Sequence, residues 1–284
     1  MSDSARMSND SPGKGSPQNE KDSIKNVLVV ALSVCLVCAV IVSAAAVLLK
    51  SQRLANKELD RNKNILIAAG LFEQGVTLEE EIDSLFGEFE IRVIDLEEQR
   101  LLSDAEVEQA GIDVLKYNQR KAAKNPELSI ELSSKEDIAS INRRARYSVV
   151  YLLRKDGKLD RIVLPIHGYG LWSTLYGFIA LRGDGNTVSG ITFYEQQETA
   201  GLGGEVDNPA WKALWPGKQI YDADHKVALK VIKGAVDKRS PNAKHQVDGL
   251  SGATITSRGV QNLIRYWLGD SAFGPVLRGL SGRG

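Results

Sequence analysis

Residues 248–257 read Asp-Gly-Leu-Ser-Gly-Ala-Thr-Ile-Thr-Ser, a small, hydroxyl-rich stretch. An apolar helix face begins directly after it, because apolar side chains recur at positions i, i+3, i+4, i+7 and i+8. These side chains are Val260, Leu263, Ile264, Trp267 and Leu268. The pattern predicts a helix whose N-cap is Thr256 or Ser257. Free N–H groups and the helix dipole favour a phosphate at such a position, although composition alone favours an ordinary N-cap after a loop.

The composition excludes several classes of function. The chain has 284 residues and a formal net charge of zero, and its Lys and Arg residues are spread along it, so nucleic-acid binding is not expected. Its two cysteines, Cys35 and Cys38, both lie in one apolar run. The rest of the chain therefore cannot form an internal disulfide, a Cys₄ zinc site or a cysteine-ligated iron–sulfur cluster.

The N-terminal part is expected to contain a membrane anchor. Residues 1–26 are mostly small, polar and charged, which predicts a disordered tail. Residues 27–49 are uncharged, and at 1.5 Å per residue they reach about 34 Å, enough to cross a hydrocarbon core of about 30 Å. A signal peptide cleaved near residues 43–46 is the alternative, but the run is longer than a typical signal core. We therefore expect an uncleaved, single-pass helix in contact with membrane lipid.

Two properties of this anchor stay open at the level of sequence. The spacing Cys35-x-x-Cys38 suits redox chemistry or a thiolate-ligated iron centre shared with another chain, whereas cysteine in a membrane helix is more often a packing residue. The positive-inside rule would place the large domain in the cytoplasm, because more Lys and Arg follow the span than precede it. That rule is weak for long domains.

The remainder predicts an α+β architecture in which a mixed α/β domain contains antiparallel hairpins. We expect 50–143 to be a helical connecting region, 144–270 the domain and 271–284 a flexible glycine-rich tail. Two hairpins are predicted from β-rich segments that flank Asp156-Gly157 and Gly183-Asp184-Gly185. The predicted strands are 147–153, 159–166, 175–181, 188–194 and 226–232. A short helix is predicted to begin at Pro209, with Asn208 as its cap.

Residues 251–256, Ser-Gly-Ala-Thr-Ile-Thr, resemble the S-G-A-T-x-T flavinylation motif. The motif marks the C-type subunit of the Na⁺-translocating NADH:quinone oxidoreductase and related FMN-binding domains, including the G-type subunit of the Rnf complexes. The resemblance implies that FMN is joined through its phosphate, as a phosphoester, to the hydroxyl of Thr256, which would make the chain a phosphoprotein.

Two further segments resemble the same family, in the family's order. Residues 167–173, His-Gly-Tyr-Gly-Leu-Trp-Ser, are similar to its G-x-G-L-W segment. Residues 198–203, Glu-Thr-Ala-Gly-Leu-Gly, are similar to its E-T-P-G-L-G segment, with Ala200 in place of the usual proline. The three segments together are more specific than any one alone, and the N-terminal anchor also fits the C-type subunit.

The resemblance implies a set of cofactor-binding residues around Thr256. Their expected contributions are glycine backbones that approach the cofactor, apolar surface from Trp172 and Leu202, and hydroxyl donors from Thr199 and Ser251. The expected set is Gly170, Leu171, Trp172, Glu198, Thr199, Gly201, Leu202, Gly203, Leu250, Ser251, Gly252, Ala253, Thr254 and Thr256.

For some of these residues a structural role is the alternative. Trp172 is as well explained by core packing, and Glu198 either orients the loop at Thr199 or is an exposed carboxylate. Asp248 suits turn capping better than Mg²⁺ binding. The three histidines, His167, His225 and His245, form no ligand cluster, and no metal site or catalytic residue is expected.

The resemblance also implies a role and partners. An alcohol is a poor nucleophile without a base, and no activating group is evident in the sequence, which fits modification by a Mg²⁺-dependent flavin transferase that uses FAD. Electrons from NADH would pass through partner subunits with FAD and iron–sulfur centres to this FMN, and on to the flavins that reduce ubiquinone. No dinucleotide fingerprint is present, so the chain is not expected to oxidise NADH alone.

The family places its FMN domain on the periplasmic side of the bacterial inner membrane. Two alternatives stay open: the G-type subunit of an Rnf-type ferredoxin:NAD⁺ oxidoreductase, and a non-enzymatic, membrane-anchored binding module.

Overall fold

The apolar run near the N-terminus forms one long helix, α1 (Ile24–Leu48), whose side chains are all exposed. By length and composition α1 is the one helix in the described part of the chain that is suited to cross a membrane. Cys35 and Cys38 on it are free thiols. The computed structural model describes residues 24–72 and 76–282, so most of the predicted N-terminal tail lies outside the described residues. The chain divides into two compact units, Met1–Asn56 and Lys57–Gly284.

The second unit begins within the helix that follows α1 and combines mostly short α-helices with strands. The remaining helices are α2 (Lys50–Ala69), α3 (Ile82–Phe86), α4 (Asp104–Gln109), α5 (Gln119–Lys124), α6 (Pro209–Lys212), α7 (Thr254–Trp267) and α8 (Gly274–Ser281). The strands are β1 (Phe89–Asp95), β2 (Arg100–Leu101), β3 (Ser129–Glu131), β4 (Arg143–Ala145), β5 (Tyr147–Lys155), β6 (Lys158–Tyr169), β7 (Thr174–Arg182), β8 (Val188–Glu195), β9 (Lys230–Val231) and β10 (Gln246–Val247).

A six-stranded sheet in the order β2-β1-β5-β6-β7-β8 is the centre of this unit, and all its neighbours are antiparallel. Both predicted hairpins are confirmed. Asp156 and Gly157 have φ angles of 52° and 75°, the left-handed values that a tight turn between twisted strands requires. The predicted helix at Pro209 is also confirmed, since the Asn208 side chain accepts a hydrogen bond from the Ala210 N–H.

The sheet is buried on both faces. Along β5, Val150 and Leu152 belong to the apolar core beneath α7, whereas Tyr151 and Leu153 belong to the core beneath α2. This alternation follows from the two-residue period of a strand. Each apolar side chain that is fully buried contributes roughly 1.5–3 kcal/mol. The first of these cores holds α7 against β6, the strand that leads to the candidate site.

Two sequence predictions are corrected by the fold. The connecting region is not helical throughout, because it contains β1, which pairs along its length with β5, from Phe89↔Leu153 to Asp95↔Tyr147. Such pairing is decided by tertiary context rather than by local propensity. A domain that starts at residue 144 would divide this sheet, and that division stays a prediction. The strand predicted at 226–232 is reduced to β9, which pairs in parallel with β10.

The prediction of a flexible C-terminal tail is wrong for the described part of that segment. Residues 274–281 form α8, and Phe273 and Leu277 are 0% and 2% exposed. The Phe273 ring lies 5.4 Å from the ring of Trp267 on α7. The glycines of this segment indicate flexibility, but its apolar side chains bury it against the core.

Candidate functional site

The hydroxyl-rich stretch runs into the first turn of α7, which starts three or four residues earlier than predicted. The helix begins at Thr254, and its N-cap is Ala253, whose methyl side chain makes no capping hydrogen bond. Neither Thr256 nor Ser257 is the N-cap, so that prediction is wrong. Ser257 instead accepts a hydrogen bond on its Oγ from the Leu250 N–H at 3.0 Å, which closes the loop before the helix and allows α7 to start earlier.

Thr256 lies in this first turn and is buried, with 1% of its surface exposed. Its Oγ1 donates a hydrogen bond of 2.7 Å to Oε2 of Glu198. Glu198 belongs to another of the three segments identified in the sequence, so the fold brings two of them into direct contact. The contact also corrects the expectation that no group near Thr256 is able to take up its proton.

Glu198 connects all three segments. It is 8% exposed, so the interpretation of an exposed carboxylate is wrong. Besides Thr256, it accepts hydrogen bonds from the N–H groups of Leu171, Trp172 and Ser173 and from the Ser173 hydroxyl, at 3.0 to 3.2 Å. The carboxylate therefore holds the turn between β6 and β7 rather than the loop at Thr199.

These contacts decide the charge of Glu198. Burial by itself raises the pKa of a carboxyl group, but the hydrogen bonds from the Thr256 hydroxyl and from the turn amides stabilise the anion. Their combined effect is a pKa below the ordinary value. Glu198 is consequently a carboxylate near neutral pH, with its negative charge beside the Thr256 hydroxyl.

Two glycines make room for this cluster. A Cβ added at Gly170 would lie 2.8 Å from Oε1 of Glu198, and one added at Gly203 would lie 2.6 Å from Oγ1 of Thr256. Both distances are shorter than real Cβ contacts allow. The sequence predicts that the glycines admit a flat cofactor; in the structure these two admit the carboxylate and the threonine hydroxyl.

Exposed apolar side chains lie at the same three segments. Trp172 is 66% exposed and Leu202 is 42% exposed, which excludes the core-packing interpretation of Trp172. Leu202 lies against Gly252 of the hydroxyl-rich stretch, since a Cβ built there would be 2.8 Å from Leu202 Cδ2. Leu171 and Ile255 are also exposed. Apolar side chains exposed together beside a buried hydroxyl suit a ligand that has one flat apolar part and one anionic end.

The other predicted site residues fall into two groups. Leu250 and Ala253 are buried and belong to the core, so they support the loop from beneath. The members of the second group are exposed, and the hydroxyls among them make no hydrogen bond within the described part of the chain. This group is Thr199, Gly201, Ser251, Gly252 and Thr254. The Thr199 carbonyl accepts hydrogen bonds from the N–H groups of Leu202 and Gly204, which shapes the loop over Thr256.

Asp248 has a structural role. Its Oδ1 accepts a hydrogen bond from the Val236 N–H, and its backbone carbonyl accepts one from Trp211 Nε1, both at 2.9 Å. This agrees with turn capping. Within residues 24–72 and 76–282, no group of three or more His, Cys, Asp or Glu residues is arranged to hold a metal ion.

His167 also has a structural role, as a half-buried residue of β6. Burial, reinforced by the positive charge of Arg120, lowers its pKa to about 4. Its ring lies 5.4 Å from the ring of Tyr176 and 4.8 Å from that of Trp267. The backbone carbonyl of His167 accepts a hydrogen bond from Trp267 Nε1 at 2.6 Å, which joins β6 to α7.

Sequence reasoning missed two residues of the cluster. Ser173 donates to Glu198 and accepts a hydrogen bond from the Gln197 N–H at 2.8 Å. Gln196 accepts one from the Glu198 N–H through its Oε1 at 2.6 Å. Ser173 directly follows the G-x-G-L-W segment, which is a usable signal, whereas nothing in the sequence distinguishes Gln196 from an ordinary surface residue.

The residues present fit a flavin nucleotide held by its phosphate. The N–H groups at Thr254, Ile255 and Thr256 are in the first helical turn and have no intrahelical acceptor, and together with the helix dipole they favour an anion there. Trp172 and Leu202 expose apolar surface for a flat ring; Glu198 joins the turn at Trp172 to Thr256, and Leu202 lies against Gly252. The site therefore contains the Thr256 hydroxyl, the Glu198 carboxylate that contacts it, and a helix N-terminus that favours a phosphate group.

Comparisons with known proteins agree with this geometry. Residues 170–269 match the model of the FMN-binding domain family. The chain is 52% identical to the C-type subunit of the Na⁺-translocating NADH-quinone reductase of Pseudomonas aeruginosa, over 92% of this chain and 97% of that protein. It is 46% identical to the protein of the same name from Vibrio campbellii, over 91% and 96%. The crystal structure of Shewanella oneidensis NqrC is similar with a TM-score of 0.71 and 36% identity, and covers 80% of this chain and 99% of that one.

Proposed function

The chain belongs to the family of C-type subunits of the Na⁺-translocating NADH-quinone reductase, and from this we propose that it carries electrons through FMN attached covalently to Thr256. The attachment is a phosphoester between the threonine hydroxyl and the flavin phosphate. One observation carries the proposal most strongly. The Thr256 hydroxyl lies at the first turn of α7, where all three family segments meet through Glu198.

The other contacts to the cofactor are proposed from the side chains that are exposed at these segments. Trp172, Leu171 and Leu202 would provide apolar surface to the ring, and the hydroxyls of Thr199, Ser251 and Thr254 are free to donate to polar atoms of the cofactor. When bound, FMN supplies the one- and two-electron redox chemistry. The chain's own residues position it and set its electrostatic surroundings.

In the proposed complex this chain transfers electrons between partner subunits. Partner subunits oxidise NADH, and others reduce ubiquinone. The chain has no dinucleotide fingerprint of its own, which supports a role in electron transfer rather than in NADH oxidation. The relatives compared above carry the name of the Na⁺-translocating reductase, which favours this complex over an Rnf-type complex and over a non-enzymatic binding module.

We also propose that α1 anchors the chain in the bacterial inner membrane with the FMN domain in the periplasm. The length and apolar composition of α1 support the anchor. Orientation rests on the family resemblance, because the flanking charges are ambiguous. Alkaline carbonate should leave the chain in the membrane pellet, and protease added to intact spheroplasts should digest the domain. Extraction of the chain by carbonate would contradict the membrane anchor. Full protection of the domain from protease would contradict its periplasmic location.

Attachment of the flavin is proposed to require a separate flavin transferase that uses FAD and Mg²⁺. The direct experiment is to produce the chain with the transferase, denature it, separate it on a gel and look for flavin fluorescence in its band. Fluorescence that survives denaturation supports a covalent bond. A colourless band from the wild-type chain, with the transferase shown to be active on another substrate, would contradict the flavin proposal itself.

A further inference from the structure

The Thr256 hydroxyl is already in contact with a group able to take its proton. Oγ1 donates to Oε2 of Glu198 at 2.7 Å, within the 2.6–3.2 Å range, approximately, over which a base is able to abstract a proton directly. We propose that Glu198 is the proton acceptor for Thr256 during flavin attachment, so that this chain supplies part of the catalytic apparatus for its own modification. This inference rests on the proposed attachment at Thr256.

The position of Glu198 is fixed by the fold rather than by the hydroxyl. The amides of Leu171, Trp172 and Ser173 and the Ser173 hydroxyl hold the carboxylate from the β6–β7 turn, and the Gln196 side chain holds the Glu198 backbone. A carboxylate secured by so many donors keeps its place while the hydroxyl changes its bonding. Positional constraint of this kind is what distinguishes a catalytic acceptor from a mobile surface carboxylate.

Flavin attachment requires a base that accepts the proton of the threonine hydroxyl. A threonine hydroxyl is weakly nucleophilic near neutral pH unless a base accompanies it. In phosphoryl transfer by protein kinases an aspartate orients the attacking hydroxyl and accepts its proton. The Glu198 carboxylate has the same relation to Thr256, and its depressed pKa keeps it ionised near neutral pH.

Flavin attachment exchanges one bond at phosphorus for another. Thr256 Oγ1 forms a bond to the phosphorus that bears the riboflavin moiety of FAD, and the bond from that phosphorus to the bridging oxygen of the pyrophosphate breaks. AMP leaves with the bridging oxygen, and the proton of Oγ1 moves to Glu198 Oε2. The products are the phosphoester, AMP and one proton. No oxidant or reductant is consumed.

The test measures the rate of attachment with the full-length chain. The apo-protein is made without the transferase, purified in detergent and mixed with transferase, FAD and Mg²⁺, and covalent flavin is followed by fluorescence of the denatured chain. Glu198→Gln removes the base with little change of shape, and Glu198→Asp retains a carboxylate. Glu195→Gln is the matched control, since it neutralises a neighbouring, exposed carboxylate that pairs with Arg120. Thermal unfolding shows that each variant is folded.

Glu198→Gln should lower the maximal rate by roughly 10²–10⁴-fold, the usual contribution of a general base, without weakening the binding of apo-protein to the transferase. Glu198→Asp should recover part of the rate, and Glu195→Gln should match wild type. The ratio of the wild-type rate to the Glu198→Gln rate should shrink as the pH rises, because hydroxide replaces the missing base. The transferase's own pH dependence cancels in this ratio.

Three results would overturn the inference while leaving the attachment site intact: a wild-type rate for folded Glu198→Gln, a ratio that does not change with pH, or Glu198→Asp as slow as Glu198→Gln. If Glu198 had only a structural role, the ratio of the wild-type rate to the Glu198→Gln rate would not change with pH. Labelling of Thr256→Ala at the wild-type rate would overturn the proposed attachment site, and with it this inference.

Discussion

Thr256 and Glu198 are 58 positions apart in the sequence, yet their side-chain oxygens lie 2.7 Å apart in a buried hydrogen bond. The helix α7 brings one residue to this point, and the segment after β8 brings the other. The bond joins the proposed attachment site to the turn between β6 and β7. Disturbing either residue should therefore affect both the stability of the apo-protein and its modification.

Replacing Glu198 by alanine should destabilise the apo-protein by about 1–3 kcal/mol, because the amides of Leu171, Trp172 and Ser173 lose their acceptor. Chemical denaturation measures the change. Glu195→Ala removes a comparable carboxylate from an exposed ion pair and should cost less than about 1 kcal/mol. Equal effects of the two substitutions would show that the contacts of Glu198 contribute no special stability.

The stabilisation that Glu198 provides should depend on pH. Its folded-state pKa is depressed below the ordinary value of 4.5, so the folded state binds its proton less readily than the unfolded state. The extra stability is present above pH 4.5 and is lost as the pH falls through the lower folded-state pKa. Denaturation curves of wild type and Glu198→Gln should converge on acidification, and a constant difference would contradict the depressed pKa.

Substitution of Gly203 by alanine should slow flavin attachment and destabilise the loop. The added Cβ would lie 2.6 Å from Thr256 Oγ1 and 2.8 Å from Glu198 Oε2, so at least one of the two oxygens has to move. The matched control is Gly279→Ala in α8, where a Cβ would meet nothing within 4 Å. The rate of flavin attachment is measured on both variants. Equal rates for Gly203→Ala and Gly279→Ala would show that the packing around Thr256 Oγ1 is loose.

His167 should make the protein less stable on acidification. Its folded-state pKa is lowered from 6.5 to about 4, so the unfolded chain takes up a proton in this interval while the folded chain does not. The stability is complete above pH 6.5 and falls by at most about 3 kcal/mol as the pH approaches 4. His167→Gln should reduce this slope in denaturation experiments. An NMR titration of His167 with a midpoint near its ordinary value would contradict the prediction.

Phe273 should be essential to the C-terminal part of the core. It is fully buried and packs on Trp267, so Phe273→Ala should cost about 3–5 kcal/mol. Thermal and chemical unfolding test this value. If the segment were the flexible tail that its glycines indicate, the substitution would have almost no effect.

The sequence is most informative where local chemistry decides the structure. Asp156-Gly157 predicts its hairpin, Asn208 with Pro209 predicts its helix, and the period of Val260, Leu263 and Trp267 predicts α7. It is least informative where long-range pairing decides. The polar alternation of β1 is compatible with a helix or a strand, and only the pairing of Phe89 with Leu153 settles the matter.

The same distinction holds for the site. The motifs identify Thr256, Trp172 and Leu202 as residues of interest, but they leave Glu198 ambiguous. Its burial depends on donors that lie 25 to 58 residues away in sequence, and no local pattern encodes such distances. The start of α7 differs from the prediction for a related reason. The Ser257 hydroxyl turns back to Leu250, so it is not available to cap the helix.

The central claim is that Thr256 carries FMN as a phosphoester, and peptide mass spectrometry tests it most directly. The full-length chain is made with the flavin transferase, digested and fragmented. The peptide that contains Thr256 should carry the mass of FMN less one water, Thr256→Ser should retain the modification, and Thr256→Ala should abolish it. An unmodified Thr256 peptide from a chain made with active transferase, or the same modification on Thr256→Ala, would contradict the account.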